Sequence, residues 1–195
     1  MGRRRLVLAT ANPGKAREIA AILGPDWTIE PRPADLPETI EDGDTLLANA
    51  MKKAEEVAAA TGAMALADDT GLFVDALGGA PGVHSARYGG PAADGEVNCH
   101  KLLTEMEGKR NRWAHFETVI AVVGPTGTVG TVSGRADGII APQPVGTDGF
   151  GYDPLFIPAD GDGRTFAQMS AKEKNAISHR AGALAKLGEL LAKAD

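Results

Sequence analysis

Apolar residues fall along this chain in short continuous runs that alternate with longer segments of helical period. Leu6-Val7-Leu8-Ala9-Thr10 is a run of strand length. It stops at Ala11-Asn12-Pro13-Gly14-Lys15, after which Ile19, Ile22 and Leu23 mark one face of a short helix closed by Gly24-Pro25. Trp27 to Glu30 predicts a second strand, followed by a Pro-rich passage from Pro31 to Pro37 and an acidic run from Glu38 to Asp44. A longer helix is predicted from Asp44 or Thr45 to Thr61, with Leu46, Leu47, Ala50, Ala54, Val57 and Ala58 on its apolar side and Gly62 as its stop.

The middle of the chain predicts two short strands, Met64 to Ala67 and Leu72 to Val74, with Asp68-Asp69 where the first runs out into Thr70-Gly71. Gly95 to Glu107 reads as a helix with Val97, Leu102, Leu103 and Met106 as core candidates and Gly108 as its end. Trp113 to Val123 and Thr128 to Ile140 flank the turn Gly124-Pro125-Thr126-Gly127 and predict a β-hairpin, with His115 as a surface strand residue. A glycine-rich turn, Gly146 to Pro154, leads into the strand Leu155-Phe156-Ile157. Ser170-Ala171-Lys172-Glu173 is a capping box, and Ala181, Leu184, Leu187 and Leu191 continue as a packed C-terminal helix. The alternation of strands and helices places the chain in the α/β class.

With 195 residues and 43% hydrophobic side chains, the chain can bury one substantial core, and one domain is expected over residues 1–195. A net charge of -6 argues against a surface for DNA or RNA, which needs clustered Lys and Arg. A small anion in one local basic pocket is compatible with it. The single cysteine, Cys99, excludes an internal disulfide and a cysteine-based metal cluster, which fits a reducing cytoplasm. Arg3-Arg4-Arg5 before Leu6 imitates a signal peptide, but the apolar run ends too soon, and no stretch reaches membrane-spanning length.

Candidate chemistry begins at Asp68-Asp69. Two like charges about 4 Å apart repel by roughly 4 kcal/mol at an effective dielectric near 20, so the pair calls for a cation, a divalent ion being the economical one. The plainer alternative is that Asp68 caps a turn and Asp69 faces water. The first turn, Thr10 to Lys15, joins a strand to a helix start, where backbone N–H groups, a positive dipole end and Lys15 suit phosphate. It is not a Walker A loop, which would require Gly at position 9 and Ser or Thr at position 16, where Ala9 and Ala16 stand. Glu41, Asp42 and Asp44 open the longer helix, where acidic residues suit the dipole.

Phe150 and Tyr152 lie among glycines, which allow flat approach of a ligand, and an aromatic face stacks a base for about 1–3 kcal/mol. The alternative is that both plug the core. Lys174, His179 and Arg180 supply donors, but on one straight helix Lys174 and Arg180 would point about 120° apart. If all three meet one ligand, the helix must break near Ser178, itself a suitable N-cap.

The blocks Thr10-Ala11-Asn12-Pro13-Gly14-Lys15, Ala67 to Tyr88, Gly149 to Pro154 and Phe166 to Arg180 resemble, in order and over nearly the whole chain, the signature blocks of the inosine triphosphate pyrophosphatase family. The resemblance implies an elongated mixed β-sheet flanked by helices, in two lobes with a central nucleotide-binding cleft. It implies hydrolysis of non-canonical purine nucleoside triphosphates, ITP, dITP and XTP, to the monophosphate and pyrophosphate with Mg²⁺. It further implies phosphate contacts from Thr10, Ala11, Asn12, Pro13, Gly14 and Lys15, and metal binding by Glu41 and Asp69, with Asp68 in support. Asp69 would also be the general base. Thr70, Phe150, Gly151, Tyr152, Asp153, Lys174, His179 and Arg180 would complete the substrate site, and the expected assembly is a homodimer.

Ala11, Thr70, His84 and Gln168 depart from the residues usual in that family, and Asp42 or Asp44 could replace Glu41 as metal ligand. Two rival functions remain: a pyrophosphatase for modified pyrimidine or methylated nucleotides, and a non-catalytic nucleotide-binding sensor. The Ser178-His179-Arg180 block opposes the first, and intact Asp68-Asp69 with Lys15 opposes the second.

Overall fold

The computed structural model describes residues 4–23, 27–91 and 94–192. Strand β1 (Arg4–Leu8) enters helix α1 (Pro13–Leu23), which returns the chain to β2 (Trp27–Glu30). The predicted stop of α1 at Gly24-Pro25 lies outside the described residues. Helix α2 (Leu46–Thr61) follows the acidic run; of the two starts the pattern allows, Thr45 is the N-cap, accepting from Ala48 N, and Gly62 is the left-handed C-cap as predicted. Leu47, expected on its apolar side, is exposed. The buried stripe instead takes in Asn49 and Lys53 along with Leu46, Ala50, Ala54, Val57 and Ala58.

Strand β3 (Ala65–Val74) corrects the two-strand expectation. It is one continuous strand, so Asp68 and Asp69 lie within it and not at a turn. Gly71 marks a close backbone approach: a Cβ there would lie 2.7 Å from the carbonyl oxygen of Gly82, on the two-residue strand β4 (Pro81–Gly82) that pairs antiparallel with β3. Helix α3 (Gly95–Glu105), capped by Asp94, buries Cys99 and Leu102, whereas Val97, expected in the core, is exposed. The hairpin is present as β5 (Trp113–Gly124) and β6 (Gly127–Ile140), and β7 (Phe156–Pro158) pairs antiparallel with β6. His115 is half-buried, its ring stacked on Phe73 at 5.0 Å. Helix α4 (Ala171–Ile177) ends at Ser178, whose extended backbone leads into α5 (His179–Ala192), a break at the position expected if Lys174, His179 and Arg180 were to meet one ligand.

The strands form one mixed sheet in the order β2-β1-β3-β5-β6-β7, with β1 parallel to both neighbours, and helices flank it. The chain divides into two compact units. The first comprises residues 1–69, 118–134 and 180–195, and its core joins Leu6, Leu8, Ile19, Leu66, Ile120, Val122, Leu184 and Leu187. The second comprises residues 70–117 and 135–179, with Leu72, Leu102, Phe116, Ile140, Leu155, Phe156 and Phe166 at its centre. Burying each large side chain contributes about 1.5–3 kcal/mol. The edges of the second core carry the candidate chemistry of that unit, and β3 and α1 carry that of the first. No helix among the described residues is long and apolar enough to cross a membrane.

Candidate active site

In the first unit, Asn12 caps α1. Its side-chain oxygen accepts from the backbone N–H groups of Gly14 (2.9 Å) and Lys15 (3.1 Å), and Thr10 Oγ1 accepts from Asn12 N at 3.1 Å. This corrects one expectation: the two N–H groups are taken by the cap and do not stand open for phosphate. Ala11, Asn12 and Pro13 are exposed, Thr10 and Lys15 are half-buried, and Gly14 is buried.

The Lys15 ammonium lies 3.2 Å from Asp68 Oδ2. The same oxygen accepts from Arg180 Nε at 3.2 Å and Arg180 Nη2 at 3.0 Å, and Arg180 Nη1 also donates to Glu18. Lys15 and Glu18 are three residues apart on α1, so one helical turn presents both to this network. Arg180 is 1% exposed. Both ends of its guanidinium serve carboxylates of the first unit, partners that the sequence did not foresee. Burial alone would raise the Asp68 carboxyl, but Lys15, Arg180 and Lys53 outweigh it and hold it well below the usual carboxylate range. Asp68 is a fixed anion.

Asp69 differs. Its Oδ2 accepts from Asn49 Nδ2 at 3.2 Å, and its Oδ1 lies 3.2 Å from the ammonium of Lys53. Lys53 also donates to Glu41 Oε1 and to the backbone carbonyl of Asp68, each at 2.7 Å. Burial pushes the Asp69 carboxyl above its ordinary value, with Lys53 and Lys15 opposing and Glu41 adding to the rise. Adjacent aspartates are thus driven in opposite directions, the pattern that separates a fixed anion from a proton acceptor. Asp42 pairs with Lys52 at the surface (2.7 Å), so of the acidic run it is Glu41 that shares a cation with Asp69. Two carboxylates converging on one positive centre are hard oxygen donors of the kind that Mg²⁺ takes alongside water and phosphate, while no group of three or more His, Cys, Asp or Glu side chains gathers for a metal among the described residues.

Sequence reasoning missed Asn49, Lys53 and Glu18. For the first two a signal existed: polar residues four apart at the core period of α2, where an unsatisfied polar group would be costly.

In the second unit, Asp153 is the hub. Its Oδ2 accepts from Phe150 N at 2.8 Å and from Lys174 Nζ at 2.5 Å, and both charged side chains are buried. The Lys174 ammonium lies 4.8 Å from the Phe150 ring centroid and 5.4 Å from that of Phe166, within cation–π range. Gly149, at φ +76°, leaves room for this hub, since a Cβ would fall 2.0 Å from Asp153 Oδ2. Tyr152 belongs to the core and donates from its hydroxyl to the Ser85 carbonyl at 2.9 Å, leaving Phe150 as the half-buried aromatic of the turn. Gly151 accepts from Cys99 Sγ at 3.4 Å. His179 stacks on Phe116 at 4.6 Å, and Thr70, the first residue of this unit on β3, is half-buried.

A model of the Ham1 family matches residues 6–190. The chain belongs to the Ham1 family. Its sequence is 51% identical over 193 residues to the dITP/XTP pyrophosphatase of Geobacter sulfurreducens, covering 96% of each chain. It is 46% identical over 196 residues to that of Bacillus subtilis, covering 95% of this chain and 96% of the relative. The fold matches the Ham1 protein of Coxiella burnetii with a TM-score of 0.87 at 38% identity, over 97% of this chain and 99% of that one. The Staphylococcus aureus Ham1 protein matches with a TM-score of 0.85 at 36% identity, over 98% and 100%. These Ham1 relatives share the mixed sheet flanked by helices.

Proposed function

We propose that the protein hydrolyses non-canonical purine nucleoside triphosphates, namely dITP, XTP and ITP, to the monophosphate and pyrophosphate with Mg²⁺, and so removes them from the nucleotide pool. Ham1 membership and relatives named dITP/XTP pyrophosphatase make it a nucleoside-triphosphate pyrophosphatase. The observation that carries the reading is the convergence of Glu41 and Asp69 on one cation beside Asp68 and its partner Lys15.

Glu41 and Asp69 would hold Mg²⁺, which when bound neutralises charge on phosphate oxygens and polarises them. Asp69, kept basic by burial, takes the proton of the water that attacks the α-phosphorus. Lys15 adds positive charge for the triphosphate from the start of α1. Asp68, fixed by Arg180, orients Lys15, and Glu18 anchors Arg180.

In the second unit the Phe150 ring offers a stacking face, and Lys174 and His179 supply the donors that a 6-oxo purine accepts. Adenine brings a 6-amino donor instead and would leave a buried donor unpaired, a mismatch worth on the order of 10⁴-fold. GTP must be rejected through its 2-amino group. The working assembly would be a homodimer in the cytoplasm, which sedimentation at twice the 20.1 kDa chain mass would support.

The test is pyrophosphate release with Mg²⁺ across ITP, XTP, dITP, GTP, ATP and dTTP. Preference for the first three is the expected result. Preference for dTTP or modified pyrimidines, or binding without turnover, would overturn it.

A further inference from the structure

Lys53 projects from the buried face of α2 onto the two carboxylates assigned to the metal, and it is only 8% exposed. Its ammonium is held at 2.7 Å by Glu41 Oε1, at 3.2 Å by Asp69 Oδ1 and at 2.7 Å by the carbonyl of Asp68. The second Asp69 oxygen, Oδ2, is committed to Asn49. Lys53 therefore occupies one oxygen of each carboxylate, Glu41 Oε1 and Asp69 Oδ1, the latter being the Asp69 oxygen that Asn49 leaves for a cation.

Mg²⁺ binds carboxylate oxygen at about 2.0–2.1 Å. A dication on Glu41 Oε1 would sit within about 5 Å of an ammonium that stayed 2.7 Å from the same oxygen. Repulsion at that range, in a site that excludes most solvent, is poorly screened. Two carboxylates and one ammonium also leave one negative charge in excess, so the group is balanced for a monovalent cation to be exchanged for a divalent one. The flexible four-carbon stem of lysine lets the ammonium swing away while α2 stays in place.

We propose that Lys53 is an internal stand-in for the metal: it holds Glu41 and Asp69 in their ligand arrangement in the metal-free protein, and metal loading displaces it. The proposal rests on the Mg²⁺ reading of Glu41 and Asp69. Its consequence is that Lys53 sets how tightly the ion binds before substrate arrives, and that loading the ion frees a second ammonium beside Lys15 for an anionic ligand.

Two measurements without substrate test it. Brief acylation of the full chain with acetic anhydride, read by mass spectrometry of the Lys53 peptide, should show strong protection without Mg²⁺ and a gain in modification of about tenfold at saturating Mg²⁺. Calorimetric titration with Mg²⁺ should show Lys53→Met binding about tenfold tighter than the wild type, and Lys53→Arg no tighter. Mg²⁺ binding with unchanged Lys53 protection overturns the stand-in while leaving the metal reading intact. Absence of Mg²⁺ binding to the wild type and both variants overturns the two together. Should Lys53→Met fail to fold, the acylation measurement on the wild type decides.

Discussion

Asp68 and Asp69 are neighbours of identical chemistry whose surroundings give them different work. Asp68 anchors the buried Arg180 and the half-buried Lys15 in the first unit, so its replacement leaves cations without their partner. Asp68→Asn should therefore destabilise the fold by about 3 kcal/mol, measured by urea unfolding. Asp69→Asn should lower pyrophosphate release by about 10²–10⁴-fold or more with the unfolding midpoint little changed. Turnover by a folded Asp69→Asn protein would remove it as the base. Cys99 makes a separate prediction in the second unit. Burial, with Asp153 and Glu96 nearby, pushes its thiol up to about 12 from an ordinary 9.0. Between those values the unfolded thiol has lost its proton and the folded one has kept it, so the stability that the neutral thiol protects falls as pH rises through that window. The wild type should lose stability relative to Cys99→Ala there, with a slope of at most about 1.4 kcal/mol per pH unit, and the two should run parallel below pH 8.

At the scale of elements, β3 is where local sequence signals and structure part. Thr70-Gly71 reads as a turn by residue type, yet the strand continues because Gly71 admits the Gly82 carbonyl against its face. Gly71→Ala should destabilise the protein by about 1–3 kcal/mol in thermal or urea unfolding, since backbone and the Phe73 ring, 2.9 Å from the added Cβ, must both yield. A neutral effect would show that β4 can move off. Helix α2 teaches the complementary lesson. Its caps and period were legible, but Asn49 and Lys53 look like surface residues until β3 is placed beside them. The break at Ser178 was legible only as the condition for Lys174, His179 and Arg180 to meet one ligand, and in the fold Arg180 belongs to the first unit and His179 to the second.

At the scale of the molecule, β3, β5 and β6 each run from one unit into the other, so neither unit holds a complete set of strands. One cooperative unfolding transition is expected. Trp113→Phe leaves Trp27 as a fluorescence reporter of the first unit, and the buried Cys99 reports the second through pulsed alkylation. Coincident urea midpoints are the expected result; separated midpoints would show that the units unfold independently. The sequence by itself determined most of the strands and helices in their order, the stop at Gly62, the capping box at Ser170 and the family, because periodicity, turn chemistry and motif spacing are local. Tertiary structure decided which charges meet. Asp68 with Lys15 and Arg180, Asp69 with Asn49 and Lys53, and Tyr152 in the core all join residues far apart in the chain, and the ionisation of a buried group depends on such neighbours and on lost solvent, neither of which is written in its local sequence.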